Sequence, residues 1–409
     1  MNFRVFFDGR KFNKRIEKIA SNELLLSTLG EILTRGSVAL CSLIAVLTIS
    51  PSKIGTVSLL ASIGYLSTAL FGVNWSPRMQ GKTKYGVSPR RAIHEFTTGF
   101  TFCFLIVVLL YFLRPHWYTT EIFFISLIIL FGNGLLVVSD IAWGVANVTY
   151  GSINQLKSRL KFLFIGAGIA ILQLSILKSQ YSYAGVQAIL YFFLLPVAWS
   201  TYKSWRKNPS LGRIKESSIF ISISTIKIII VILIIQITYV IDNFLVARIL
   251  GLDSLAIYAM AYSVTSLFVS VAAGSIQRLV NVAEDPKTSK HLASKKPGII
   301  SYIIIFCLFL SLHFIFRNEH NQILSQMPIM LILLLPTTYI RILLLNQSAL
   351  MSRYSNNRTN VLFALIQISL FFIIGIPATA TFGISGMAIS SFVVKFVTYR
   401  IGLSFIRGI

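Results

Sequence analysis

The sequence is short of charge. Only 12% of its 409 residues are Asp, Glu, Lys or Arg, against roughly a quarter in a soluble chain. Acids are scarcest, 13 against 37 Lys and Arg, while 55% of residues are hydrophobic and mean hydropathy is +0.76. That balance excludes a water-soluble domain and implies an all-α polytopic membrane protein. Cysteine is nearly absent. Cys41, Cys103 and Cys307 stand alone in apolar segments, so neither a disulfide framework nor CxxC metal spacing is available. Histidine is sparse: His94, His116, His291 and His320 fall at span ends or in loops and His313 within a span, forming no nucleophile–His–acid pattern. No GxxxxGK[ST] loop occurs, so ATP hydrolysis by the chain itself is excluded. No cofactor or metal is expected.

What is present is a series of apolar runs long enough to span a bilayer. They number twelve, at 24–49, 54–73, 93–113, 122–143, 160–177, 183–202, 219–241, 254–273, 298–316, 325–345, 359–378 and 382–401. Trp75, Trp117, Tyr118, Trp199 and Tyr202 mark several ends, as interfacial aromatics do. The net charge of +24 fits this topology better than nucleic acid. Twenty-seven Lys and Arg fall in the N-terminal arm, alternate connections and the C-terminus, and only five in the intervening connections. By the positive-inside bias both termini are cytoplasmic.

Residues 1–23 are basic and amphipathic and are expected to form a cytoplasmic arm along the inner membrane surface, without the h-region of a cleaved signal. A basic stretch at 206–218, with Pro209 and Gly212, separates two six-helix lobes, 24–205 and 219–409. The lobes carry a weak internal repeat. TALFGVNWSPR (68–78) answers FVSVAAGSIQR (268–278), and YAGVQA (183–188) answers FGISGMA (382–388). Repeats of even helix count share one orientation, and transporters often place a substrate between such halves.

ITYVIDNFLVARILGLDSLAIYAMAYSVTSLF (237–268) carries Asp242 near a helix end, Gly251 in a short loop, then Tyr258 and Ala261. This pattern, with GVNWSPR closing the second span and FGISGMAIS at 382–390, resembles the bacterial polysaccharide (O-antigen, lipid-linked oligosaccharide) flippases of the multidrug/oligosaccharidyl-lipid/polysaccharide exporter superfamily. Ala256-Ile257 stand where that family usually has a glycine. The resemblance implies a two-lobed twelve-helix fold in the bacterial inner membrane. It also implies translocation of a polyprenyl-diphosphate-linked oligosaccharide, with membrane lipids and polysaccharide polymerase machinery as further partners.

Charged residues inside spans are the candidate site. Arg35, Lys227, Arg341 and Lys395 each cost roughly 2.5–3.5 kcal/mol at a bilayer centre, and such residues face a wet cavity or a partner. Glu31 and Arg35 lie four apart, so they can pair, and they share a face with Thr28 and Ser42. Ser224, Lys227, Thr238 and Asp242 form a second stripe, and Ala388, Ser391, Lys395 and Thr398 a third. Two readings stand side by side. The cations line a cavity for a diphosphate and acidic sugars, or they snorkel and pair, Arg341 and Arg400 toward headgroups and Arg35 with Glu31. The acids Glu31, Asp140 and Asp242 are candidates for ion coupling or charge pairing. Asn133, between Gly132 and Gly134, is expected at a close helix contact with an interhelical hydrogen bond. A multidrug exporter of the same superfamily is the first alternative. A polymerase or glycosyltransferase is disfavoured by short external connections, whose acids are Glu121, Asp253 and Glu319.

Overall fold

The computed structural model describes residues 14–70, 89–113, 118–149, 153–207, 223–282, 306–307, 309–311, 322–354 and 357–407. They form α1 (Lys14–Thr48), α2 (Pro51–Leu70), α3 (Pro89–Leu113), α4 (Thr120–Thr149), α5 (Ile153–Leu177), α6 (Gln180–Phe192), α7 (Leu195–Lys207), α8 (Ile223–Leu250), α9 (Leu252–Val282), α10 (Gln322–Tyr354), α11 (Asn357–Leu370), a π-helical turn (Phe371–Gly375) and α12 (Ile376–Arg407). Eleven of the twelve expected spans fall on these helices. The ninth, 298–316, lies outside the described residues except for a few positions around Phe309, as do residues 1–13 of the arm and most of the linker. The rest of the arm continues into the first span as one helix.

Local signals account for the boundaries. Pro51 and Pro89 open α2 and α3, where a missing N–H costs nothing. The Ser179 hydroxyl accepts the Ser182 N–H at the start of α6, a side-chain N-cap. Gly251, at φ +88°, is the whole connection between α8 and α9. The seventh span runs nine residues past its expected end at 241 to Leu250, which moves Asp242 from a helix end to well inside the helix.

The last two spans form a hairpin. Gly383 adopts φ 62°, ψ −142°, a conformation open almost only to glycine. In a continuous helix residues 378 and 386 would stand about 12 Å apart. Instead a Cβ added to Gly386 would collide with the Ala378 carbonyl oxygen, so the chain turns back on itself. The 44-residue apolar stretch Val361–Ser404 is thus two crossings. Ahead of the turn, the Ile376 N–H bonds to Phe371 O five residues back, and Pro377 offers no N–H to Ile373.

Contacts link the helices both within and across the two halves of the chain. Within α1–α7, α1 packs on α5 and α6, and α4 on α2, α3, α6 and α7. Within α8–α12, α10 packs on α9 and α12, and α8 on α9, α11 and α12. The groups meet where α1 and α2 touch α8 and α9. Here Gly55 lies so close to the Leu252 carbonyl that no Cβ would fit between them. The main core cluster runs across this joint, from Cys41, Ala45 and Ile54 to Leu255, Tyr258 and Met330. On α4, Gly132 meets the Ala188 backbone and Gly134 meets Phe100, while Asn133 lies against Gly64. Its buried Nδ2 finds no hydrogen-bond partner among the described residues, in place of the expected interhelical bond. Small residues thus admit three neighbours at once.

The outer surface is apolar. Phe102, Leu105, Leu109, Phe112 and Leu113 of α3 are each more than half exposed, an area that water does not tolerate on a monomer. Among the described residues nine helices are long and apolar enough to cross a membrane. The chain is an all-α multi-pass membrane protein.

Gly383→Ala is expected to lower stability by about 1–3 kcal/mol through backbone strain alone, since open space surrounds that position. Gly386→Ala, which meets a backbone oxygen, should lower the melting temperature of the detergent-purified protein further. Equal or negligible shifts for both would contradict the hairpin.

Candidate functional site: a buried charge cluster beside an interior seam

The α8–α9 connection is one residue long, so the two helices run antiparallel and Asp242 comes level with Tyr258. The Tyr258 hydroxyl donates to Asp242 Oδ2 at 2.9 Å, and the Asn243 N–H donates to Oδ1 at 3.0 Å. From α12, Lys395 Nζ approaches Oδ2 to 3.7 Å, an ion pair rather than a hydrogen bond, and donates instead to the Ser391 hydroxyl one turn back. The Phe371 ring, presented by the π turn, lies 5.2 Å from Nζ, within cation–π range. Asp242 is 1% exposed and Lys395 4%. Four segments therefore converge on one buried pair: α8, α9, the π turn and α12.

α10 joins them through its proline-interrupted turn. Thr337, just after Pro336, reaches the Ala388 carbonyl at 3.5 Å. One turn further on, Arg341 lays its guanidinium 4.1 Å from the centre of the Tyr262 ring. Arg341 is half-buried. Its charge thus rests on an aromatic face within the bundle, and the expected reach toward headgroups is not needed to place it.

A polar seam flanks this cluster where α2 meets α8. Asn243 Nδ2 donates to the Ser62 hydroxyl at 2.9 Å, and Gln236 Nε2 donates to the Thr68 hydroxyl at 3.0 Å. Among the described residues, each amide keeps a buried carbonyl oxygen that no protein group satisfies.

The sequence-expected residues are brought together only in part. Asp242, Lys395 and Arg341 share one neighbourhood, close enough for the Arg341 charge to act on Lys395. Arg35 sits elsewhere, on α1, and is exposed. Yet at about 100° per residue it falls within about 20° of Ser42 and about 120–140° from exposed Leu40 and Leu47. Ser42 is fully buried and contacts the Tyr183 hydroxyl of α6 at 3.2 Å, whereas Ile32, one turn before Arg35, is exposed. The backbones of Glu31, Asp140 and Lys227 are helical, but their side chains lie outside the described residues. Much of the stripes has a private explanation: Ser42, Thr238 and Thr398 donate to carbonyls three or four residues back on their own helices. Sequence reading misses Asn243, Ser62, Thr68, Tyr262 and Phe371. The recurrence of amides along one face of α8, Gln236 and Asn243 seven apart, is a usable signal for the seam.

No protein-family model matches the chain, and no curated protein matches it. Solved structures do. A structure titled lipid II flippase MurJ, inward closed conformation, superposes with TM-score 0.61 at 13% identity, over 94% of this chain and 87% of that one. A mutant of the Vibrio cholerae MATE transporter VcmN gives 0.60 at 12% identity over 97% and 98%. A MATE structure in complex with MaD3S gives 0.57 at 12% over 95% of both. At such identities the likeness is one of fold: this chain has the architecture of flippases and multidrug transporters.

Removing one member of a buried ion pair costs about 3–5 kcal/mol, whereas replacing both with apolar groups is often neutral. Asp242→Leu and Lys395→Met alone are thus expected to lower the melting temperature of the purified protein sharply. The double variant should recover most of the loss, and additive losses would contradict the pairing.

Proposed function

We propose that this chain is a flippase that carries an anionic polyprenyl-diphosphate-linked oligosaccharide across the bacterial inner membrane by alternating access, for surface polysaccharide synthesis. In this reading it belongs to the multidrug/oligosaccharidyl-lipid/polysaccharide exporter superfamily. Its lobes are residues 24–205 and 219–409, joined by the basic linker 206–218, with both termini cytoplasmic. Polysaccharide polymerase machinery would consume the product.

The observation that carries the proposal is the unequal fate of interior charges. Asp242, the interior acid whose surroundings are described, is committed to Lys395 and Tyr258. Arg35 is exposed on α1 and Arg341 half-buried on α10, so cations come from both helix groups. The interior therefore offers positive charge to a guest, and fixed guanidiniums are well suited to diphosphate and carboxylate groups. Lys395 belongs to the same reading as a cation held by Asp242 in this conformation. Lys227, on the α8 stripe, belongs to it by sequence position, and Glu31 and Asp140 remain proposed charge-pairing or coupling acids. The lipid tail would stay in the bilayer while the sugars pass between the lobes as they rock.

The MATE likeness supports a second reading, a multidrug exporter of the same superfamily. The cation surplus weighs against it, because a cationic drug would meet repulsion from Arg341 and Arg35.

The test is transbilayer movement of a fluorescent polyprenyl-diphosphate oligosaccharide in proteoliposomes. The wild-type chain should accelerate it, and Arg35→Ala and Arg341→Ala should each slow it by about tenfold, the equivalent of one lost contact of about 1.4 kcal/mol. Efflux of cationic dyes by a wild-type chain that leaves the lipid unmoved would give the second reading the place of the first.

A further inference from the structure

The two hydrogen bonds of the α2–α8 seam fix its register. Ser62 pairs with Asn243 and Thr68 with Gln236, so the numbers rise on one helix as they fall on the other, and the helices are antiparallel. Midway between Ser62 and Thr68 stands Tyr65. Midway between Gln236 and Asn243 stands Tyr239. Both tyrosines lie near the helix face that makes the seam bonds, so they stand at one level of the joint between the two helix groups, bracketed by an amide–hydroxyl bond on either side.

A third tyrosine reaches the same level. Tyr258 is opposite Asp242, and one turn along antiparallel α9 brings Tyr262 opposite the Tyr239 turn of α8. The Tyr258 and Tyr262 rings stack at 6.0 Å, and Tyr262 also carries the Arg341 guanidinium at 4.1 Å. The electrostatic environment agrees: Tyr262 lies in range of Tyr239, Tyr65 and Arg341 together. Burial separates these groups into two kinds. Tyr258, Asp242 and Lys395 are sealed, but Tyr65 is 37% exposed and Tyr239, Tyr262 and Arg341 are half-buried. Three aromatic rings and a guanidinium beside the joint thus keep part of their surface exposed.

We propose that Tyr65, Tyr239, Tyr262 and Arg341 form a glycan subsite: a tyrosine cradle for the pyranose rings of the substrate, with Arg341 placed to receive an acidic sugar or the adjoining phosphate. The proposal rests on the flippase reading and adds to it the part of the cavity that holds sugar rather than diphosphate. The chemistry is specific. A pyranose ring presents an apolar C–H face that stacks on an aromatic ring, and hydroxyl edges that bond to phenols and amides. The unsatisfied carbonyl oxygens of Gln236 and Asn243 stand on the same face as Tyr239; buried here, they would accept from sugar hydroxyls once the seam parts. Aromatic faces alone would also suit an organic cation. Arg341, already stacked on Tyr262, occupies that role and repels a second cation, so the cradle selects a neutral or anionic polyol.

The experiment measures binding of three probes to the full chain in nanodiscs: undecaprenyl diphosphate, the same lipid bearing a glucuronic-acid-containing trisaccharide, and a cationic dye. Tyr65→Ala, Tyr239→Ala and Tyr262→Ala should each weaken the trisaccharide lipid by about tenfold relative to the bare diphosphate lipid. Tyr65→Phe and Tyr239→Phe, which keep the ring and its packing, should stay within a few-fold of wild type and so guard against misfolding. Equal losses for both lipids, or none, would overturn the cradle and leave the flippase reading standing. A wild-type chain that binds the dye and neither lipid would overturn the flippase reading and the subsite with it.

Discussion

The bilayer interior supplies no water, so every polar group the chain places there must find its partner in the protein. That constraint organises this structure. Asp242, the one acid on its helix, is buried and must find donors on other helices. The chain supplies them from α9 and α12, in Tyr258 and Lys395. Satisfying one carboxylate thus dictates where several helices sit. The single-residue turn at Gly251 levels Tyr258 with the acid, and the hairpin at Gly383 returns α12 beside the π turn. That places Ser391 and Lys395 on the inward face and Phe371 beside the ammonium.

The same constraint explains what is legible in the sequence. Apolar runs of about 20 residues define spans because nothing else crosses hydrocarbon, and eleven expected runs coincide with helices. The stripes are harder to read. A Ser or Thr at helical spacing suggests a polar face, yet Ser42, Thr238 and Thr398 each close a bond to their own backbone. Such hydroxyls carry no information about a cavity. Lys395 shows no acid on its own helix, because its partner arrives from a helix about 150 residues earlier, a pairing that periodicity cannot reveal. Asp242 reads as a span end because the run of apolar residues weakens at Asp242-Asn243, while the helix itself continues to Leu250.

Asn133 shows the opposite case. Flanked by two glycines, it is legible as a packing site, since a side chain that small beside two missing ones signals close approach. The structure brings Gly64, Ala188 and Phe100 onto those three positions. Tyr65 and Tyr239 are not legible, because a lone tyrosine in an apolar helix is usually lipid-facing or core. Only the register set by Ser62–Asn243 and Thr68–Gln236 makes them opposite.

The joints within and between the helix groups are built from different materials. Inside the second group the charge pair and the packed Tyr258 resist separation, since breaking them strands buried charge. Between the groups the α2–α8 seam is tied by two amide–hydroxyl bonds, and bonds of that kind contribute only about 0.6 kcal/mol each in a membrane protein. In the proposed flippase reading, parting of that seam would be an exchange of partners rather than a loss of them, the amides turning from Ser62 and Thr68 to a polyhydroxylated guest. The Asp242–Lys395 pair lies wholly within α8–α12, whereas the joint with α1 and α2 combines the two neutral amide bonds with the apolar core that runs across it.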